Sequence, residues 1–206
     1  MRKTRAEHAM LAATMALLLV SGVLWVTPAQ AQSYSGQAYA AFVNVGAGPL
    51  YIANTGALPS TGGWLGAEQM GAQVPNVLSA ETLVAATSGA LTSTSGDQVN
   101  SSTSLAGVTV LPGSPAQITA SFVRAQADAT DSGAAGYSEV DDLVFGGRPV
   151  TVTGAPNQTV TIPLIATLVI NEQTATAQGI LVNALHLILA SGGEVIVSSA
   201  SSSVNR

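Results

Sequence analysis

Apolar and polar residues alternate in short runs along most of the chain, and the runs end at glycine or proline. The clearest runs are the last three, over 166–174, 179–190 and 194–203, and glycine-containing turns divide them. Short alternating runs bounded by turn residues predict β-strands.

The run over 179–190 is apolar on both of its expected faces. Strict alternation places Leu181, Leu185, Leu187 and Leu189 on one face, and His186 with Ile180, Val182, Ala184 and Ile188 on the other. A strand with two apolar faces is typical of a central position that is covered on both sides. A short buried helix over 181–189 is the alternative, because periodicity alone does not exclude it.

The same pattern predicts further strands and two long loops earlier in the chain. The predicted strands cover 34–45, 81–94, 98–110, 117–127, 137–145, 148–153 and 158–162. The segments 81–94 and 98–110 form a hairpin that turns at Ser95-Gly96-Asp97. Five glycines and two prolines predict a loop over 54–76, and the polar segment 128–136 predicts another.

These elements predict an all-β fold, because no run of strands alternates with helices. Regularly spaced short strands favour an antiparallel β-sandwich or jelly-roll-like arrangement. A β-solenoid is the alternative, although the sequence lacks the fixed period that a solenoid shows.

The first 31 residues have the three parts of a secretory signal peptide. Basic residues at positions 2, 3 and 5 precede an apolar run over 10–26, and Ala29-Gln30-Ala31 follows. We expect a signal helix that is cleaved after Ala31. A membrane anchor is the alternative, but an apolar run of about 17 residues is short for a bilayer. The remainder, 32–206, is then one all-β domain with a flexible tail over about 201–206.

Composition narrows the function of this expected mature chain. Three basic residues stand against ten acidic ones, a formal charge of about −7, and no lysine remains. Such a balance argues against nucleic acid as a partner, because phosphates need basic residues. The chain has no cysteine, so neither a disulfide nor a thiolate metal site is expected. We expect no cofactor and no membrane span after cleavage.

The candidate catalytic residues are few and scattered. His186 is the single histidine of the mature chain, and no Gly-x-Ser-x-Gly motif nominates a serine. Glu172 and Glu194 are the only acids in the last three predicted strands, and a glycosidase needs two carboxylates at a defined separation. We expect structural roles for these three residues and no enzymatic activity.

Two weaker signals suggest ligands. Asp128, Asp131 and Glu139 lie in a segment that partly matches the spacing of a calcium-binding loop, although no helices flank it. Trp64 lies in a glycine-rich segment, where it is either an exposed platform for a carbohydrate or a plug in the core.

Several motifs resemble those of the choice-of-anchor P family. They are Gly36-Gln37-Ala38-Tyr39, the run from Pro156 to Val160, Asn171-Glu172-Gln173, Val182-Asn183-Ala184-Leu185-His186, and the run from Glu194 to Val197. The resemblance implies an exported bacterial protein, of a mostly actinobacterial group, with no established activity. It supplies no catalytic residues, and the C-terminus here carries no recognisable anchor.

We therefore expect a secreted or surface protein that is loosely held on the bacterial envelope and has a structural or interaction role. Strands rich in small apolar residues invite strand addition, so the expected partners are the protein itself or other envelope proteins. The segment 33–45 is the candidate donor strand. The alternative function is a ligand-binding sandwich for carbohydrate or calcium.

Overall fold

The computed structural model describes residues 33–46, 48–92 and 96–205, with the backbone alone at positions 91 and 92. The predicted signal peptide, its cleavage site at Ala31 and the turn residue Ser95 lie outside the described residues.

The described part of the chain consists of β-strands and their connections, without a helix. The strands are β1 (Ser33–Asn44), β2 (Leu50–Asn54), β3 (Gly63–Val74), β4 (Leu78–Thr92), β5 (Gly96–Val110), β6 (Ile118–Thr130), β7 (Gly133–Asp141), β8 (Val144–Phe145), β9 (Arg148–Pro149), β10 (Gln158–Ile162), β11 (Ala166–Ala175), β12 (Gly179–Leu189) and β13 (Glu194–Asn205). Within this part, no helix has the length and apolarity that a membrane span requires.

The strands form two antiparallel sheets. Sheet A has the order β10-β11-β12-β13-β1-β2, and sheet B has the order β3-β4-β5-β6-β8-β9, with β7 also paired to β6. The central strands of sheet A, β1, β12 and β13, pack on β4, β5, β6 and β7 of sheet B. This arrangement confirms the all-β prediction and corresponds to a β-sandwich rather than to the coils of a solenoid.

The core between the sheets is built from small and medium apolar side chains. Its largest fully buried members include Leu83, Leu105, Leu168 and Leu187, and alanines fill many of the remaining inward positions. The sheets approach closely where these residues are small: a Cβ atom added at Gly136 would lie 2.3 Å from Val182 Cγ2 on the opposite sheet. Low side-chain bulk in the sequence therefore sets a short distance between the sheets.

Buried hydroxyl groups add hydrogen bonds across the same interface. Ser101 Oγ donates to the Ser201 carbonyl over 2.7 Å, and Ser202 Oγ donates to the Ala127 carbonyl over 2.8 Å. These bonds satisfy groups that would otherwise destabilise the core by remaining unpaired.

The predicted loop over 54–76 is wrong, because most of it forms strand β3. This strand pairs with β4 from Gly63 to Val74 and lies at the edge of sheet B. Most of its side chains are exposed. An exposed edge strand needs no apolar face, so its glycine-rich and polar sequence resembles that of a loop.

Two further expectations are corrected. The segment 128–136 is a tight hairpin in which Asp131 and Ser132 connect β6 to β7. The expected flexible tail is instead the end of β13, which pairs with β1 as far as Asn205 and buries Val204.

The expected donor segment 33–45 is part of the protein's own sheet. Strand β1 pairs with β13 on one side and with β2 on the other, and the residues before Tyr39 also bond the chain that follows β2. Neither side of β1 is a free edge in the described residues.

The alternation of inward and outward side chains is interrupted in four neighbouring strands of sheet A, at positions that lie side by side across the sheet. At this level adjacent residues are buried in each strand: Ile170-Asn171, Ala184-Leu185, Val197-Ser198 and Ala40-Ala41, and in β12 and β13 the buried run extends over Val182–Leu185 and Val195–Ala200. The pairing is regular on both sides of the break but skips Asn171, Ala184, Ser198 and Ala40, which we call the bulge row. Asn171 and Ser198 have positive φ angles of 53° and 62°.

The bulge row reverses the phase of β12, so the two-faced alternation predicted for this strand is wrong. Before the bulge Ile180 and Val182 point into the core, and after it Leu185 and Leu187 do so. His186 therefore joins Asn183 and Leu181 on the outer face. Because of this reversal, core-facing residues fall on both of the faces that strict alternation predicts, so both predicted faces are apolar.

Candidate functional site

The outer face of sheet A carries polar and aromatic side chains in two rows, one on each side of the bulge row. One row is Glu172, Asn183, Ser199, Tyr39 and Asn54, and the other is Val169, His186, Ile196, Phe42 and Tyr51; each residue pairs with the next one on the neighbouring strand. With Glu194, these rows form what we call the central outer face.

His186 bridges two carboxylates on this face. Its Nδ1 lies 2.9 Å from Glu172 Oε2, and its Nε2 lies 3.1 Å from Glu194 Oε2. Asn183 Nδ2 donates to the same Glu172 oxygen over 2.6 Å. A neutral imidazole has one N–H, so hydrogen bonds to both carboxylates require either the imidazolium or a protonated carboxyl group. The arrangement links side chains of three neighbouring strands in one hydrogen-bonded network.

A buried acceptor without a partner lies beside this network. Asn183 is 4 % exposed, and its Oδ1 makes no hydrogen bond within the described structure. Ser199 lies next to it on β13 and is also buried. Orphaned buried polar atoms are rare in folded proteins and mark a position that a ligand or water can satisfy.

Tyr39 on β1 lies opposite Ser199 on the neighbouring strand β13. Burial raises the pKa of the Tyr39 phenol, and the proximity of Ser199 lowers it by a smaller amount. The Ser199 Oγ and Asn183 Oδ1 atoms are both shielded from solvent, so they lie beneath the surface of this face.

Three aromatic rings pack together at the β1–β2 end of the face. Tyr39 and Tyr51 meet edge to face with centroids 5.1 Å apart, and Phe42 lies 4.8 Å from Tyr51. Tyr51 is 48 % exposed, whereas Phe42 and Tyr39 are half-buried. The cluster supports Tyr51 as a rigid, solvent-facing apolar surface next to hydrogen-bond acceptors.

This geometry differs from that of a glycosidase. A glycosidase leaves substrate or water between its two carboxylates. Here both Glu172 and Glu194 bond the same imidazole, which occupies the space between them.

The three calcium candidates are dispersed along the β6–β7 hairpin. Asp128 bonds Asn100 and Gln126, Asp131 accepts from the Asp97 amide, and Glu139 lies opposite Arg124. In the described residues, no three acidic or histidine side chains come together as metal ligands. The hairpin separates the oxygens that a calcium loop would bring together.

Trp64 is a surface residue and does not plug the core. It lies on β3 with 70 % of its area exposed, and its ring covers Gly66 two residues along the strand. It belongs to sheet B, so it contributes nothing to the central outer face.

Sequence reasoning considered His186, Glu172 and Glu194 singly and missed their association. Asn183 and His186 are three positions apart, which places them on opposite faces of a regular strand. The bulge at Ala184 brings both to one face. The paired motifs around Asn171 and Asn183 were the only sequence signal of this region.

No family model, no curated protein and no solved structure matches this chain. The functional conclusion therefore depends on the geometry of the described residues and on the sequence motifs.

Proposed function

We propose that the mature chain is an exported, non-enzymatic interaction module of the bacterial envelope, and that its central outer face binds a neutral glycan. The observation that carries this proposal is the exposed Tyr51 ring on the same sheet face as the partly exposed carboxylates of Glu172 and Glu194. The signal-peptide pattern and the resemblance to choice-of-anchor P proteins support the exported setting.

A neutral sugar fits the chemistry of this face. Sugar hydroxyl groups donate hydrogen bonds, and the partly exposed carboxylates of Glu172 and Glu194 accept them. The apolar face of a pyranose ring matches the flat surface of Tyr51. The acidic charge of the chain disfavours anionic ligands.

Binding to a glycan array of neutral and acidic oligosaccharides tests the proposal. We expect retention of neutral glycans, and we expect Tyr51→Ala to weaken that binding by about tenfold, equal to about 1.4 kcal/mol. Tyr137→Ala is the matched control, because Tyr137 has a similar exposure of 44 % but lies on sheet B.

The outcomes distinguish the proposed glycan site on sheet A from a site at Trp64. Equal losses from Tyr51→Ala and Tyr137→Ala, or no retention of any glycan, would overturn the proposal. Loss of binding in Trp64→Ala with full binding in Tyr51→Ala would move the glycan site to the edge of sheet B.

A further inference from the structure

Strand β3 is the longest unprotected edge of the sandwich. Its 12 residues pair with β4 on one side. On the other side, no backbone group from Gly63 to Gly71 bonds another backbone group in the described structure, and the Gly71 carbonyl accepts from the Gln69 side chain of the same strand. An exposed row of N–H and C=O groups of this length is a template for another strand.

The other edges of the two sheets are shorter or protected. Strand β9 has two residues and ends at Pro149, and β2 and β10 have five residues each. Strand β7 carries Glu139 and Asp141, and its Gly136 carbonyl accepts a bond from Gln173. Proline, charge and short length all discourage strand addition, so β3 differs from every other edge.

The side chains of β3 are also unusual for an edge. Met70 is 86 % exposed and shares the outer face of sheet B with the exposed Trp64. Glu68 lies between them on the same face and is the only charged residue of the strand. Lysine, a common protection of edge strands, is absent.

We propose that two copies of the protein pair through β3 in an antiparallel register centred on Ala67, which joins their B sheets across a two-fold axis. In this register Trp64 of one copy faces Met70 of the other, twice by symmetry. Glu68 of one copy faces Gly66 of the other. The proposal concerns sheet B alone, so its failure would leave the glycan site proposed on sheet A unaffected.

Side-chain chemistry selects this register over its neighbours. In an antiparallel pair, residues directly opposite each other point to the same face of the sheet. The pairing is therefore centred on a single residue, and the registers next to Ala67 are centred on Gly66 and Glu68. A pairing centred on Glu68 places two carboxylates opposite each other, and one centred on Gly66 places Trp64 opposite Glu68. The register centred on Ala67 alone gives two sulfur–aromatic pairs and no pair of like charges.

Sedimentation velocity of the purified protein over a range of concentrations tests the proposal. We expect a monomer–dimer equilibrium for the natural sequence. Trp64→Lys with Met70→Lys places lysines opposite each other and should raise the dissociation constant by about tenfold or more. Leu164→Lys is the control, because this loop leucine is fully exposed but distant from the strand edge in sequence and sheet.

A charge swap tests the register itself. Trp64→Glu with Met70→Lys places opposite charges in contact only when residue 64 faces residue 70, so this double variant should regain dimerisation relative to Trp64→Lys with Met70→Lys. A monomeric natural protein at every concentration would refute the dimer. Equal weakening by both double variants would refute the register, and weakening by Leu164→Lys would locate the interface elsewhere.

Discussion

At the scale of single residues, one buried hydrogen bond ties the first strand to the second sheet. The Tyr34 hydroxyl donates to Asp97 Oδ1 over 2.6 Å, and both side chains are buried. Burial and the bond to Asp97 raise the pKa of Tyr34 from 10.0 to about 12. The neutral phenol is therefore the form that the folded protein stabilises.

The raised pKa predicts a loss of stability in alkaline solution. Because the folded-state pKa exceeds the unfolded value, the contribution of Tyr34 is complete below about pH 10 and is lost as the pH rises towards 12. At neutral pH, Tyr34→Phe should lower the free energy of unfolding by about 1–3 kcal/mol, because it removes the donor from a buried carboxylate. Urea unfolding at a series of pH values measures both effects.

Comparing the natural protein with Tyr34→Phe isolates the contribution of Tyr34 to stability. The difference in unfolding free energy between the natural protein and Tyr34→Phe should shrink between pH 10 and 12. A difference that stays constant over this interval would contradict the assignment. Tyr137→Phe, at an exposed tyrosine, should change stability little at any pH.

At the scale of the strands, the bulge row decides which side chains of sheet A face the core. Ser198 has a positive φ of 62°, is fully buried, and donates from Oγ to the Thr103 carbonyl on sheet B over 3.1 Å. A left-handed residue within a strand is strained unless its surroundings hold it. The hydrogen bonds between Ser198 and Thr103 help to hold this conformation.

A matched pair of substitutions measures the backbone strain at Ser198. Both Ser198→Gly and Ser198→Val remove the hydroxyl group, but only valine adds a branched side chain in the left-handed region. Ser198→Val should therefore be less stable than Ser198→Gly by about 1–2 kcal/mol, as measured by urea unfolding. Equal stabilities would show that the backbone relaxes at this position.

The strands of the last third could be predicted closely from the sequence, whereas β3 could not. The predicted segments 158–162, 166–174 and 179–190 match β10, β11 and β12 to within one residue at each end. Their apolar side chains face a core, so their pattern records their burial. Strand β3 buries little, and its position depends on pairing with β4, which leaves no apolar pattern in the sequence.

The central outer face could not be predicted for a different reason. Glu172, His186 and Glu194 lie on three strands, and their contacts depend on strand order and register. The bulge at Ala184 then changes which residues share a face. Neither the strand order nor the bulge follows from the local pattern of side chains.

At the scale of the whole molecule, the chain has no cysteine and folds without a disulfide. Its two sheets bury a common core of small residues, and buried serine and threonine hydroxyls bond across the interface. A domain of this length buries enough apolar surface to fold without covalent crosslinks.

The proposed export of the molecule predicts a defined N-terminus. We expect the native protein in the culture medium or in a mild wash of the cells, with Gln32 as its first residue, because Ala31 ends a small-x-small cleavage pattern. Mass spectrometry of N-terminal peptides from fractionated cultures measures this. Residues 1–31 retained in the membrane fraction would instead identify the apolar run as an anchor, and Ala31→Arg should block cleavage if the site is correct.

The sequence by itself determined that the chain is all-β and which segments of its last third are strands. These properties depend on local alternation and on turn residues, which act over a few positions. Tertiary structure decided the edge position of β3, the reversal at the bulge row and the meeting of His186 with two glutamates. These features arise from pairing between distant strands, where register and a single extra inward residue decide which side chains meet.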